Sequence, residues 1–182
     1  PKDTLFSEHL ACVHGHGSFP EVEPRTFSFN TPRGACPDCQ GLGFRLEFDA
    51  ALIVPDPKLS LDASCIDASG WKMDDDSWTR TVLHSVCQAH KVPFGTPWNQ
   101  LTGEQQDIIL YGTNGSKVKI NYRNRYGDTR THYATFEGVI NNLRRRHRET
   151  TSDYMREKLE EYMVQRPCNT CSGQRLRPEA LA

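Results

Sequence analysis

Two stretches decide how this 182-residue chain folds: Cys36-Pro37-Asp38-Cys39-Gln40-Gly41-Leu42-Gly43 near its start and Cys168-Asn169-Thr170-Cys171-Ser172-Gly173-Gln174 near its end. Both have the form CxxCxG. Two intervening residues let one tight turn aim two sulfurs at the same ion. The glycine after the second cysteine permits a positive φ, keeps a Cβ away from the metal and leaves nearby amides free to bond sulfur. Together the two knuckles supply four thiolates, the ligand set of a tetrahedral structural zinc site with Zn–S bonds of about 2.3 Å. The 128 residues between Cys39 and Cys168 are long for one finger, but harmless if they fold independently. The expectation is therefore a zinc module split by an inserted domain. A dithiol redox switch is the competing reading of each CxxC. Such motifs stand at a helix N-terminus beside a βαβ pattern, a context neither knuckle has.

Three of the seven cysteines lie outside the knuckles. Cys65 and Cys87 read as small apolar residues in packed positions. Cys12-Val13-His14-Gly15-His16 offers one thiolate and two imidazoles without CxxC or CxxH spacing. Cys12, His14 and His16 are thus either half of a second zinc site completed from upstream or a degenerate knuckle without metal. The need for four good ligands favours the second.

Away from the cysteines, composition narrows the class. Hydrophobic residues are 36%, charged residues 25% and mean hydropathy is −0.66, which implies a modest core with much of the chain near water. Aromatics at 9% argue against outright disorder. No run approaches the roughly 18 apolar residues of a membrane span, and no basic-then-apolar leader opens the chain. Beginning at Pro1 and stopping just after Glu179-Ala180, the sequence reads as a piece of a longer protein.

Texture divides the chain into three: 1–46 and 167–182, rich in Gly, Pro and Cys, as the two halves of the zinc module, and 47–166 as an insertion domain. Within the insert, 56–71 reads as a Pro- and Ser-bearing connector. A helix is expected from about Asp76 or Ser77 to Pro93, with Trp78, Val82, Val86 and Ala89 inward. Thr102 and Gln105 form a capping box for a short helix ending at Gly112. Val118, Ile120 and Tyr122 then alternate with Lys117, Lys119, Asn121 and Arg123, a half-buried strand. Tyr126-Gly127-Asp128 turns it, and Thr129 to Phe136 returns. A helix from about Glu137 turns Val139, Ile140 and Leu143 inward. Another runs from Ser152 to Pro167 with Met155, Leu159, Tyr162 and Met163 inward. The expected class is α+β, a four-cysteine zinc module interrupted by helices and a small antiparallel hairpin.

Charge is uneven. Lys117, Lys119, Arg123, Arg125, Arg130, Arg144, Arg145, Arg146 and Arg148, against Asp128 and Glu137, give 117–148 a net +7, whereas 60–116 carries −4. Such polarity suits a phosphate backbone on one face, with Tyr126 and Tyr133 available to stack on bases. The alternative is a solvated face whose arginines pair with Glu149, Glu157, Glu160 and Glu161. Catalysis has little support: Gly112-Thr113-Asn114-Gly115-Ser116-Lys117 fails the phosphate-loop spacing, and His84, His90, His132 and His147 are isolated. The segment is expected not to be an enzyme by itself.

Longer motifs carry a resemblance. Phe6-Ser7-Glu8-His9-Leu10-Ala11-Cys12, Glu23-Pro24-Arg25-Thr26-Phe27-Ser28-Phe29-Asn30, Gly34-Ala35-Cys36-Pro37-Asp38-Cys39 and Arg166-Pro167-Cys168-Asn169-Thr170-Cys171 follow one another in order. With Tyr126-Gly127-Asp128 and Phe136-Glu137-Gly138-Val139-Ile140, they make the whole chain resemble UvrA, the damage-recognising ATPase subunit of bacterial nucleotide excision repair. The resemblance implies the first signature region, with Cys36, Cys39, Cys168 and Cys171 as structural zinc ligands and an insertion domain that flanks or clamps DNA. It implies damaged duplex DNA and UvrB-type and UvrA-type subunits as partners, a cytoplasmic bacterial setting, and ATP and Mg²⁺ sites outside this segment. Where the family usually shows a CPxC-like knuckle, this chain has Cys12-Val13-His14-Gly15-His16. No family motif accompanies the basic residues, whose assignment to DNA rests on charge. Two rival readings are a zinc-knuckle protein-interaction module, as in DnaJ-type chaperones, and a docking site for another repair subunit.

Overall fold

The structure, a computed structural model, describes residues 23–71, 73, 77–123 and 126–181. In chain order the regular elements are β1 (Phe44–Phe48), α1 (Ala50–Ile53), α2 (Trp78–Ala89), α3 (Gly103–Tyr111), β2 (Lys117–Arg123), β3 (Thr129–Thr135), α4 (Val139–Glu149), α5 (Asp153–Glu160) and β4 (Met163–Pro167). Short 3₁₀ turns lie at Pro24–Phe27, Trp98–Gln100 and Pro178–Ala180. The strands pair as two separate two-stranded sheets, β1 with β4 and β2 with β3, so the class is α+β as expected. Backbone contacts divide the chain into two units, one of Pro1–Glu47 with Gln165–Ala182, the other Phe48–Val164.

The larger unit owns the apolar core. Ile53, Leu61, Leu83, Val86, Ile109, Val139, Ile140, Leu143 and Leu159 are fully buried there. The stretch 56–71 contributes more than a connection, because Leu61, Cys65, Ile66, Ala68 and Trp71 are all buried along it. Its turns fold these side chains under the helices.

Helix α2 starts where Ser77 Oγ accepts the Arg80 N–H at 3.1 Å, an N-cap. It packs across β2 and buries Leu83, Val86 and Cys87. Of the expected inward stripe of Trp78, Val82, Val86 and Ala89, Val86 is buried and Val82 packs half-buried against the core, while Ala89 faces solvent. Two adjacent stripes share Val86 and both are apolar, so periodicity cannot choose between them. The helix uses both: Leu83 and Cys87 are buried in the core, while Trp78, 52% exposed, sets its edge on Tyr122 of β2 with ring centroids 5.4 Å apart.

The capping box of α3 forms as read. Thr102 Oγ1 accepts the Gln105 N–H at 3.3 Å while Gln105 Oε1 accepts the Thr102 N–H at 3.0 Å. The helix stops at Gly112, whose φ of 93° only glycine adopts cheaply. A Cβ there would also lie 2.4 Å from the Phe136 carbonyl oxygen. This crossing sets the base of the β2–β3 hairpin, since the Thr113 N–H donates to that same oxygen at 2.9 Å. Helix α4 buries Val139, Ile140 and Leu143, the face expected.

Helix α5 is capped by Ser152 but ends at Glu160, which corrects the expectation of a helix running to Pro167. The Tyr162 N–H closes a tight turn onto Leu159 O, and the Tyr162 carbonyl accepts the Asp49 N–H at 3.0 Å. Met163 to Pro167 then pair with β1 as β4, because inter-strand bonds satisfy a backbone that a helix ahead of Pro167 could not keep.

Candidate metal centre and nucleic-acid interface

In the smaller unit the described residues bury almost nothing apolar: Ala35 and the four cysteines Cys36, Cys39, Cys168 and Cys171. What holds it is backbone pairing around the sulfurs. The Cys36 N–H donates to Arg175 O at 2.8 Å, the Cys168 N–H to Gly43 O at 2.9 Å and the Arg177 N–H to Gly34 O at 2.9 Å. Each knuckle closes the same turn, with the Leu42 N–H on Cys39 O at 2.9 Å and the Gln174 N–H on Cys171 O at 2.8 Å. Backbone dihedrals repeat as well. Gln40 and Gly41 have φ of 52° and 84°, and Ser172 and Gly173 have 49° and 85°. The CxxCxG resemblance is thus a resemblance of conformation. A Cβ on Gly41 would stand 2.2 Å from Phe29 O, so this glycine is required by space as well as by φ.

The four Sγ atoms lie within 4.8 Å of one another, and every cysteine is buried. Cys36 Sγ is 3.9 Å from Cys168 Sγ, and Cys39 Sγ is 3.7 Å from Cys171 Sγ. A tetrahedron with bonds of about 2.3 Å has edges near ~3.8 Å, whereas a disulfide needs about 2.05 Å. The donor set therefore fits a thiolate-bound cation and not a pair of cystines. The Gly43 N–H points at Cys39 Sγ at 3.2 Å, the amide support that steadies a ligating sulfur. Backbone amides of Cys171 and Thr170 pull the Cys168 thiol down to about 6, against the effect of burial. Burial by contrast pushes the Cys171 thiol up.

Cys12, His14 and His16 fall outside the described residues. Cys65 and Cys87 are buried in the larger unit's core, where burial pushes their thiols up to about 11 and about 12. These are packed, inert thiols.

The basic residues divide into three groups. Lys117 and Lys119 are exposed on β2, with Tyr133 on β3 60% exposed and Tyr126 in the turn 73% exposed. Arg130 is exposed and 3.8 Å from Asp128. Arg125 lies outside the described residues, and of Arg123 only the backbone is described. On α4, Arg144 and Arg148 face solvent. Arg145 is engaged on both sides, by Glu137 at 2.9 Å and Glu149 at 3.0 Å. Arg146 donates to the Ser69 carbonyl and hydroxyl. The arginine run is consequently half structural. Its hydrogen bond to Glu137 is the main reason that carboxyl sits below its ordinary value.

Sequence reasoning missed a concavity in the smaller unit. Phe29, Pro32, Leu42, Phe44, Arg175 and Arg177 are among the residues lining about 830 Å³, and the Arg175 guanidinium stands 5.2 Å from the centre of the Phe29 ring. Phe27, Phe29 and Leu42 are 55%, 40% and 56% exposed. The available signal was three large apolar side chains crowded beside a knuckle that has no room to bury them.

Fold and site together define a class: a four-cysteine knuckle unit interrupted in sequence by an α+β unit that carries a basic hairpin. Residues 49–161 match the family model described as the UvrA DNA-binding domain, and the chain belongs to that family. The UvrABC system protein A of Halalkalibacterium halodurans is 44% identical over 181 residues, covering 100% of this chain and 19% of that protein. Those of Bacillus subtilis and of a Synechocystis species are 42% and 41% identical, again over 100% of this chain and over 19% and 18% of their own lengths. The chain spans about a fifth of the length of these curated relatives. The crystal structure of UvrA2 from Deinococcus radiodurans superposes with a TM-score of 0.64 at 24% identity, covering 96% of this chain and 22% of that one, a likeness of fold. Among the described residues no helix is long and apolar enough to cross a membrane.

Proposed function

We propose that this chain is the DNA-contacting part of a nucleotide excision repair subunit: a structural zinc centre of Cys36, Cys39, Cys168 and Cys171 staples the two roots of an insertion domain whose basic surface binds damaged duplex DNA. One observation carries the reading. The stretch matched to the UvrA DNA-binding domain, 49–161, is the one on which the cationic hairpin stands. Zinc here would have all four positions filled by sulfur and would supply folding energy, with no open position for water. The contacts are expected from Lys117, Lys119, Arg123, Arg125 and Arg130 on the hairpin and Arg144 and Arg148 on α4, with Arg145 and Arg146 shaping the surface that carries them. Recognition would rest on backbone charge and on how readily a lesion site deforms, without reading base edges. In this reading ATP hydrolysis and the UvrB-type and UvrA-type contacts belong to other parts of the parent protein.

Affinity for a duplex of defined length across a salt gradient, together with zinc content by mass spectrometry, tests it. The expected results are a steep linear fall of log K with log salt and one zinc per chain. Affinity indifferent to salt would overturn the DNA reading, and a folded chain without zinc would overturn the metal centre.

A second reading has its own support. The apolar concavity beside Phe29 and Leu42 suits a polypeptide partner better than a phosphate backbone. Pull-down by the chain of a companion repair subunit, lost on Leu42→Glu with zinc retained, would favour docking as this unit's task.

A further inference from the structure

The β2–β3 hairpin has two faces of different chemistry. The antiparallel register sets Lys117 opposite Thr135, Lys119 opposite Tyr133 and Asn121 opposite Thr131. These residues share one face, because side chains alternate along a strand. The other face, with Val118 and Ile120 buried, packs against α2. On the outward face Lys117, Lys119, Asn121, Thr129, Thr131, Tyr133 and Thr135 are all exposed. Neither strand contains a carboxylate. The face is therefore two columns: cations along β2 and hydroxyls along β3, with a single aromatic ring among them.

The spacing of these columns is that of a nucleic-acid strand. Alternate residues on a strand repeat every ~6.8 Å, twice the axial rise of about 3.4 Å per phosphate of one DNA strand. Directly opposed side chains have Cβ atoms roughly 5 Å apart, so Lys119 stands beside the Tyr133 ring. A base laid on that ring would bring its own phosphate within reach of the Lys119 ammonium. Tyr133 stands on a strand pair whose opposite face is anchored in the core. Its strand partner is anchored through Val118 and Ile120, each 2% exposed, and the Thr131 hydroxyl donates to Asn121 Oδ1 at 2.9 Å one rung away. An exposed aromatic on a rigid, carboxylate-free cationic ribbon is a stacking platform.

Resting on the proposed DNA-binding function, we infer that the outward face of the hairpin is a single-strand site, in which Lys117 and Lys119 track the phosphates and Tyr133 stacks on a base that has left its pair. The partner is thus an opened stretch of DNA, and the hairpin contributes selectivity for unpaired bases in addition to affinity. A fully paired duplex offers its phosphates to the lysines but no free base to the ring.

The test compares two duplexes of equal length and composition, one fully paired and one with a three-base mismatched bubble containing 2-aminopurine, bound by the full 182-residue chain and its Tyr133→Ala, Tyr133→Phe and Lys119→Gln variants. Loss of one base-stacking contact is expected to cost about tenfold in affinity. Tyr133→Ala should lose that factor on the bubble alone, and the 2-aminopurine signal should no longer change on binding. Tyr133→Phe should keep both properties. Lys119→Gln should weaken both duplexes by a similar factor. Equal effects of Tyr133→Ala on the two duplexes, or an unaltered 2-aminopurine response, would overturn the stacking site while leaving the DNA reading in place. A wild-type chain that binds neither duplex would overturn both. Tyr133 is 60% exposed, and an unchanged circular dichroism spectrum of the variant confirms that folding is not what was measured.

Discussion

Exchanging Lys117 and Lys119 together for glutamine removes two of the exposed cations on the hairpin and leaves its buried side intact. Neither residue supports the core: both side chains face solvent, while Val118 between them is 2% exposed. Stability should change by no more than the ~0.5 kcal/mol typical of surface substitutions. Duplex binding should respond strongly. Each phosphate contact contributes about 0.9 to the slope of log K against log salt, so the pair contributes about 1.8. Between 50 and 200 mM salt, a fourfold change, wild type should lose about 12-fold more affinity than the variant. The matched control is Arg145→Gln. Its guanidinium is already held by Glu137 and Glu149, at 2.9 and 3.0 Å, so the slope should barely move. Fluorescence anisotropy of a labelled duplex at five or six salt concentrations gives both slopes. If the lysine variant keeps the wild-type slope while Arg145→Gln flattens it, the division into free and structural cations is wrong.

Three further outcomes follow from the geometry. Chelating the metal, or Cys36→Ser, should release one zinc per chain and unfold the smaller unit first, because Ala35 and four cysteines are the only apolar side chains that its described residues bury; hydrogen exchange should show 34–43 and 168–177 losing protection while 139–149 keeps it. Gly41→Ala should destabilise by more than about 2 kcal/mol, since a positive φ costs an L-residue roughly 1–2 kcal/mol before steric clash and the new Cβ meets Phe29 O at 2.2 Å; a melting temperature within a degree or two of wild type would contradict this. The carboxyl of Glu137 sits below its ordinary 4.5, chiefly through its hydrogen bond from Arg145. A depressed folded pKa contributes stability above 4.5 that is lost as pH falls through the folded value. Glu137→Gln should therefore flatten that acid limb of the stability curve, as read by urea melts, and leave the neutral-to-alkaline side parallel to wild type.

The local devices were legible because each is written in neighbouring residues. The capping box at Thr102 and Gln105, the stop at Gly112, the alternation of β2 and the buried face of α4 all depend on side chains within a turn or a rung of one another. The misreadings share a physical origin. Trp78 and Ala89 were placed inward because two apolar stripes on α2 overlap at Val86; the core took Leu83 and Cys87, leaving Ala89 in solvent and Trp78 partly exposed against Tyr122 of β2. Met163 to Pro167 was placed in a helix because nothing local reveals that β1 offers it hydrogen bonds.

The candidate site divides along the same line. Spacing alone pointed to Cys36, Cys39, Cys168 and Cys171 as one candidate ligand set, since a tetrahedral thiolate site needs four sulfurs and each CxxC turn offers two. Composition likewise marked the basic stretch. Only the tertiary structure separated Arg145 and Arg146, bound to Glu137, Glu149 and Ser69, from Lys117 and Lys119, which face solvent. Only the antiparallel register put Tyr133 beside Lys119. A short motif states its own geometry because it spans one turn of chain. Which charge is spent inside the fold depends on residues up to 77 positions away, a distance over which local sequence has no say.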